Sequence, residues 1–149
     1  MTVDELADQL AIRDLLAGFA DSVNRMDPDL LRQLFTDDGE WVVTGFGEPR
    51  GHDAIVEFLA GLLVRWDVIF HAIHSGSVTL AGDRASGQWF ISEFGKLLDG
   101  TEVRFAGVYT DNYARGADGR WRFARRRYDG MFSRLGDNLN VRPVPADLA

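Results

Sequence analysis

Three turn signals divide the chain after residue 67: Gly82-Asp83, Asp99-Gly100 and Asp118-Gly119. Such dipeptides between apolar runs mark hairpins. They leave four strand-like runs, at about 68–80, 85–97, 102–115 and 120–132, which read as an antiparallel meander. A run of about 12 residues at ~3.3 Å each spans roughly 40 Å, about twice the usual strand. Strands of that length must twist and coil. Gly76, Gly87, Gly95 and Gly107 lie within or near the ends of these runs, where glycine marks a bulge or bend. A curled sheet has a concave face, and that face needs a cover.

The first half of the chain supplies it. Thr2 and Glu5 fit a capping box. Leu6, Leu10, Leu15, Leu16, Phe19 and Val23 then recur at helical spacing to about residue 25. Asp27-Pro28 reads as an N-cap and first helical position of a short second helix. "DDGEWVVTG" gives a turn and a short strand near 40–44. "GHDAIVEFLAGLLVRW" is a third helix with Ile55, Phe58, Leu59, Leu62, Leu63 and Trp66 on one face. His52 stands at its N-terminal cap region. The expected product is an α+β domain: a cone-shaped, curved antiparallel sheet covered by three N-terminal helices, with a cavity between the layers. One domain is expected over 1–132, with an extended tail over 133–149. At 149 residues the chain suits a single core.

Composition narrows the functions. The net charge of −7 repels nucleic acid and anionic membrane. The local exception, "RWRFARRR", alternates on a strand, so Arg126 with Arg122 faces away from Arg125 and Arg127. That favours salt bridges over an RNA-binding patch. With no cysteine, disulfides, thiolate metal sites and a cysteine nucleophile are excluded. No apolar run approaches the roughly 20 residues of a membrane span. The acidic start "MTVDELADQL" is unlike a secretory signal, and a cytoplasmic location is expected. No metal site is expected: His71 and His74 are three apart and point to opposite faces of an ideal strand.

Alternation places Trp89, Ile91 and Glu93 on one face of the second run, and Phe105, Gly107, Tyr109 and Asp111 on one face of the third. Both faces carry apolar groups. The concave one is expected to line the cavity and the convex one to pack on a second copy, giving a homodimer.

The segments "AIRDLLAGFADSVNRMDPDLLRQLFTDDGEW" and "GVYTDNYARGADGRWRFARRRY" resemble the SnoaL-like branch of the nuclear-transport-factor-2-like superfamily. That branch includes scytalone dehydratase, bile-acid dehydratase and hexachlorocyclohexane dehydrochlorinase. The resemblance covers nearly the whole chain and implies the superfamily's α+β barrel. In the dehydrochlorinase a histidine at the head of the first long strand is the base, and an aspartate late in the first helix orients it. By resemblance the aspartate position carries Asn24. The histidine matches His74 by its H-x-G context or His71 by the least gapped register; His74 is preferred. The family's cavity lysine falls on Phe19 and its cavity arginine on Arg126. The cavity face falls on Trp89, Ile91, Glu93, Phe105, Gly107 and Tyr109. The tyrosine–aspartate pair of scytalone dehydratase falls on Val23 and Asn24, so the dehydratase set is mostly absent.

These residues suit removal of a proton from carbon, the step shared by dehydration, dehydrohalogenation, cyclisation and double-bond isomerisation. A histidine is a base suited to neutral pH, provided its other nitrogen has an acceptor. Asn24 can accept but cannot offset imidazolium charge. Glu93 can, and forms an acid/base pair with His74 in one reading or a structural ion pair with Arg126 in another. His71 is then a strand-end histidine or the alternative base. Phe19, Val23, Trp41, Trp89, Ile91, Phe105, Tyr109 and Tyr128 would hold a small hydrophobic molecule. The expected function is a cofactor-free lyase, isomerase or polyketide-cyclase-like enzyme acting on a hydrophobic oxygenated ring compound. The alternative is a non-catalytic ligand-binding or accessory subunit of the same fold.

Overall fold

A computed structural model describes residues 1–144. The element order is α1 (Val3–Asn24), a 3-10 helix (Pro28–Gln33), β1 (Phe35–Val43), α2 (His52–Leu63), β2 (Trp66–Ala81), β3 (Arg84–Leu97), β4 (Glu102–Arg115), β5 (Trp121–Leu135) and β6 (Asn138–Val141). The four long runs are present as strands of 14 to 16 residues. The sheet order is β1-β5-β4-β3-β2, with β6 pairing the end of β5. The meander β2 to β5 is antiparallel, but β1 joins β5 in parallel. The sheet is therefore mixed and curved rather than purely antiparallel. This is the α+β fold the sequence predicts.

The Thr2 side chain and the Glu5 carboxylate close the predicted capping box, the Thr2 amide donating to Glu5 Oε2 at 2.7 Å. Helix α1 buries Ile12, Leu15, Leu16, Phe19, Ala20, Ser22 and Val23. Leu6 and Leu10, expected on that face, are exposed. The second helix is a single 3-10 segment that buries Leu31, and its N-cap Asp27 makes no side-chain cap bond. Trp66 opens β2 instead of closing α2. His52 begins α2 with its Nε2 2.8 Å from the Phe35 carbonyl. Residues 133–135 continue β5 and 138–141 form β6, so the expected tail is a hairpin over that stretch. The remainder of that tail, residues 145–149, lies outside the described residues.

Bulges shape the sheet, at Ile73/Gly76 against β3, Ala106/Gly107 against β5, and Asn112/Tyr113 against β5. At Gly76 a Cβ would strike the Gln88 carbonyl and the Trp89 ring; at Gly107 it would meet the Asp129 carbonyl and Tyr128. Only glycine allows these backbone approaches. The third bulge corrects one parity. Tyr113 pairs Phe123 and Asn112 pairs Arg125, skipping Ala124. Phe123 and Arg126 are thus both inward and buried, and Arg122 is not on the face of Arg126. It binds Asp118 through Nη2 at 2.7 Å instead.

Phe19 is the centre of the helix–sheet contact. Its ring meets Trp41 at 5.4 Å, Tyr109 at 5.7 Å, Phe123 at 6.0 Å and Phe35 at 6.5 Å, all edge-on. Edge-to-face aromatic pairs add roughly 0.5–1.5 kcal/mol each beyond area burial. This cluster ties α1, β1, β4 and β5 into one core.

Candidate active site

His71 lies inward on β2, in register with Glu93 on β3. It is 3% exposed. Neither ring nitrogen has a hydrogen-bond partner among the described residues. Glu93 Oε2 stands 3.6 Å from Nδ1, ion-pair range but long for a hydrogen bond. Phe19 and Tyr109 pack on the imidazole at 5.8 and 6.5 Å between ring centres.

His74 lies on the opposite face, exposed, with Nε2 2.6 Å from Ser92 Oγ. The expectation that His74 opens into the interior is thereby corrected: the bulge begins after Ile73, too late to bring both histidines to one side. Asn24 is corrected too. Its Oδ1 accepts the His71 backbone N–H at 2.6 Å, and its Nδ2 donates to the His71 carbonyl at 3.3 Å. An amide can accept and donate at once, whereas an ionised carboxylate only accepts. Asn24 therefore pins the main chain of His71 to the end of α1, and neither bond involves the imidazole.

Arg126 is 1% exposed. Its Nε donates to Asp111 Oδ1 at 3.0 Å. Asp111 Oδ2 accepts from the Tyr113 hydroxyl at 2.9 Å, whose oxygen accepts from Trp89 Nε1 at 3.0 Å. The guanidinium carbon stands 3.7 Å from the Tyr109 ring centre, 4.3 Å from Phe19 and 4.5 Å from Phe123. The expected Glu93–Arg126 ion pair does not form. Arg126 and Asp111 are cross-strand partners, while Glu93 is in register with Phe105 and, through it, with Ser133. Asp111 and Tyr113 come from the run "YTDNY", an acid alternating with aromatics on the inward face. Sequence reasoning placed Asp111 on that face and gave it no role.

Arg126 Nη1 and Nη2 are buried with no hydrogen-bond partner among the described residues, and Trp41 Nε1 is turned to the Tyr109 hydroxyl without a bond of full hydrogen-bond geometry. Trp41 is in register with Arg126 across β1 and β5. Orphaned buried donors are costly, about 1–3 kcal/mol each and more for a cation. The remaining candidates divide by burial. Phe19, Val23, Trp41, Trp89, Ile91 and Tyr109 are buried, with Trp89 committed to the Tyr113 hydroxyl. Glu93, Phe105 and Tyr128 are half-buried, and Tyr128 packs on Tyr109 at 5.2 Å. Burial raises the pKa of Tyr109, Tyr113 and Tyr128 above the ordinary phenol value. Burial also raises that of Asp111, against the opposing pull of Arg126 and Tyr113.

Two concavities of the structure lie away from His71. One runs along the outer sheet surface past Ser77, Thr79, Ser86 and Thr110, and another past Arg32, His52, Arg115 and Arg122; neither includes His71. Phe19 and Tyr109 line the interior beside His71. Among the described residues no group of three or more His, Asp or Glu side chains could hold a metal ion. No helix among them is long and apolar enough to cross a membrane.

Comparison with known proteins agrees with this architecture. The chain is 29% identical over 129 residues to gamma-hexachlorocyclohexane dehydrochlorinase of Sphingobium indicum, a match covering 83% of this chain and 81% of the relative. The hexachlorocyclohexane dehydrochlorinase LinA-type3 of Novosphingobium barchaimii superposes with a TM-score of 0.82 at 25% identity, over 96% of this chain and 98% of that one. The crystal structure of LinA gives 0.84 at 24% identity, over 96% and 97%, a likeness of fold alone. Residues 4–127 match the SnoaL-like domain. That match spans most of the chain, and the protein belongs to the SnoaL-like family.

Proposed function

We propose that this protein is a cofactor-free lyase that removes a proton from carbon in an uncharged hydrophobic ring compound. His71 is the base. Its imidazole is inward, buried and, among the described residues, without a hydrogen-bond partner at either nitrogen, and this observation carries the reading. Glu93, 3.6 Å from Nδ1, holds that nitrogen as the protonated one and offsets the imidazolium that forms. Nε2 is then the atom that takes the proton. The C–H electron pair becomes the new double bond, and the leaving group departs with its own bonding pair. Arg126 directs its terminal N–H groups at the polar substituent that leaves, while that substituent is still uncharged. Asn24 fixes the strand that carries the base.

The dehydrochlorinase likeness suggests the assay. Chloride release from γ-hexachlorocyclohexane should occur with the wild-type chain and fall about 10²- to 10⁴-fold in His71→Ala. Full activity in His71→Ala would end the proposal. A specific observation favours the second reading, a ligand-binding subunit: the helix position that holds a carboxylate in the dehydrochlorinase holds Asn24, engaged with main chain only. Saturable binding of the same compound without chloride release would select it. A homodimer through the outer face, where Val68, Phe70 and Phe94 are exposed, belongs to the same proposal. Sedimentation as a monomer at micromolar concentration would remove it.

A further inference from the structure

Arg126 carries one positive charge into the interior, and Asp111 matches it with one negative charge at 3.0 Å. The contact uses Nε alone. The second carboxylate oxygen is turned to Tyr113, which is in turn held by Trp89. Asp111 therefore engages only the Nε edge of the guanidinium, leaving both terminal nitrogens buried and without a hydrogen-bond partner among the described residues. A bidentate grip would have consumed a terminal nitrogen. The aromatic faces of Tyr109, Phe19 and Phe123 limit rotation of the group. Glu93 adds a further carboxylate at the His71 edge.

We propose that Asp111 is a positioning and specificity-determining residue: it aims Arg126 and neutralises it, so that the free guanidinium end accepts an uncharged polar group and discriminates against anions. This rests on the reading of Arg126 as facing the ligand. Removing the carboxylate leaves the positive charge of Arg126 unmatched at its own end of the interior. Tyr113 and Trp89 fix the carboxylate, and the selectivity belongs to its charge.

The test is binding rather than turnover, so its failure is separable from failure of the His71 reaction, which chloride release decides. Bromide is titrated against gluconate at constant ionic strength, and tryptophan fluorescence and the thermal midpoint are followed. The wild-type chain should show no saturable bromide response. Asp111→Asn should gain one at least about tenfold tighter, and Asp111→Glu, which keeps the charge, should lack it. Saturable bromide binding to the wild-type chain overturns the proposal, as does a folded Asp111→Asn chain that gains none. If Asp111→Asn does not fold, wild-type crystals soaked in bromide and separately in acetamide decide. Acetamide alone at Nη1 and Nη2 supports the proposal; bromide there, or neither molecule, overturns it.

Discussion

The inner and outer faces of the same strands carry the same residue types to opposite ends. On β2, His71 is buried among rings while His74 stands in solvent on Ser92. On β5, Arg126 is enclosed by three aromatic rings and bound to Asp111, while Arg125 lies half-exposed, 3.8 Å from Glu40. Outside, water and salt screen each charge, and an ion pair is worth about 0–1 kcal/mol. Inside, each polar atom must find a partner or leave one for a ligand. The difference teaches that residue type says little here until the face is known.

Four measurements break or sharpen that contrast. The largest effect concerns the histidines: chloride release should fall by about 10²- to 10⁴-fold in His71→Ala and stay within about twofold in His74→Ala. A reversed result would place the chemistry on the outer face. Next comes stability. Arg126→Ala leaves Asp111 buried and unpaired and should cost about 3–5 kcal/mol by urea denaturation, whereas Arg125→Ala should cost under about 1 kcal/mol. Equal costs would remove the distinction between the two arginines.

Glu93→Gln keeps the shape and removes the charge beside His71. Turnover should fall by about 10- to 100-fold, because the imidazolium loses its counter-charge. Unchanged turnover would return Glu93 to a purely structural role. The smallest effect is the tyrosine titration. All three tyrosines have phenols raised above their ordinary value of 10 by burial. The folded chain thus holds these protons more tightly than the unfolded chain. The stability they lend is fully present below about pH 10 and is lost as pH rises beyond it. Absorbance near 295 nm (the phenolate band) should stay flat past the point where free tyrosine ionises and then rise together with unfolding. A phenolate signal at or below pH 10 in the folded protein would show that at least one ring is open to water.

The legible part of this protein was periodic. Turn dipeptides, strand lengths, the Thr2–Glu5 cap and the apolar stripe of α1 depend on neighbours a few residues away, so the one-dimensional pattern records them. Alternation also grouped Trp89 with Ile91 and Glu93, and Tyr109 with Asp111, each set on one face of its own strand. Bulges set the limit. The extra residue at Ala124 turned Arg126 away from the face of Arg122, whereas the bulge after Ile73 came too late to change the alternation that leaves His74 outside. A one-residue slip inverts every side chain beyond it, and its position is decided by pairing with another strand. The Arg126–Asp111 pair and the bond from Asn24 to the His71 main chain are likewise long-range, linking groups whose meeting no local spacing encodes. The sequence by itself determined the elements and which side chains share a face of each strand. Tertiary structure decided which histidine, and which partner for the buried arginine, because those choices turn on strand register and on desolvation, which exist only once the sheet has closed over its core.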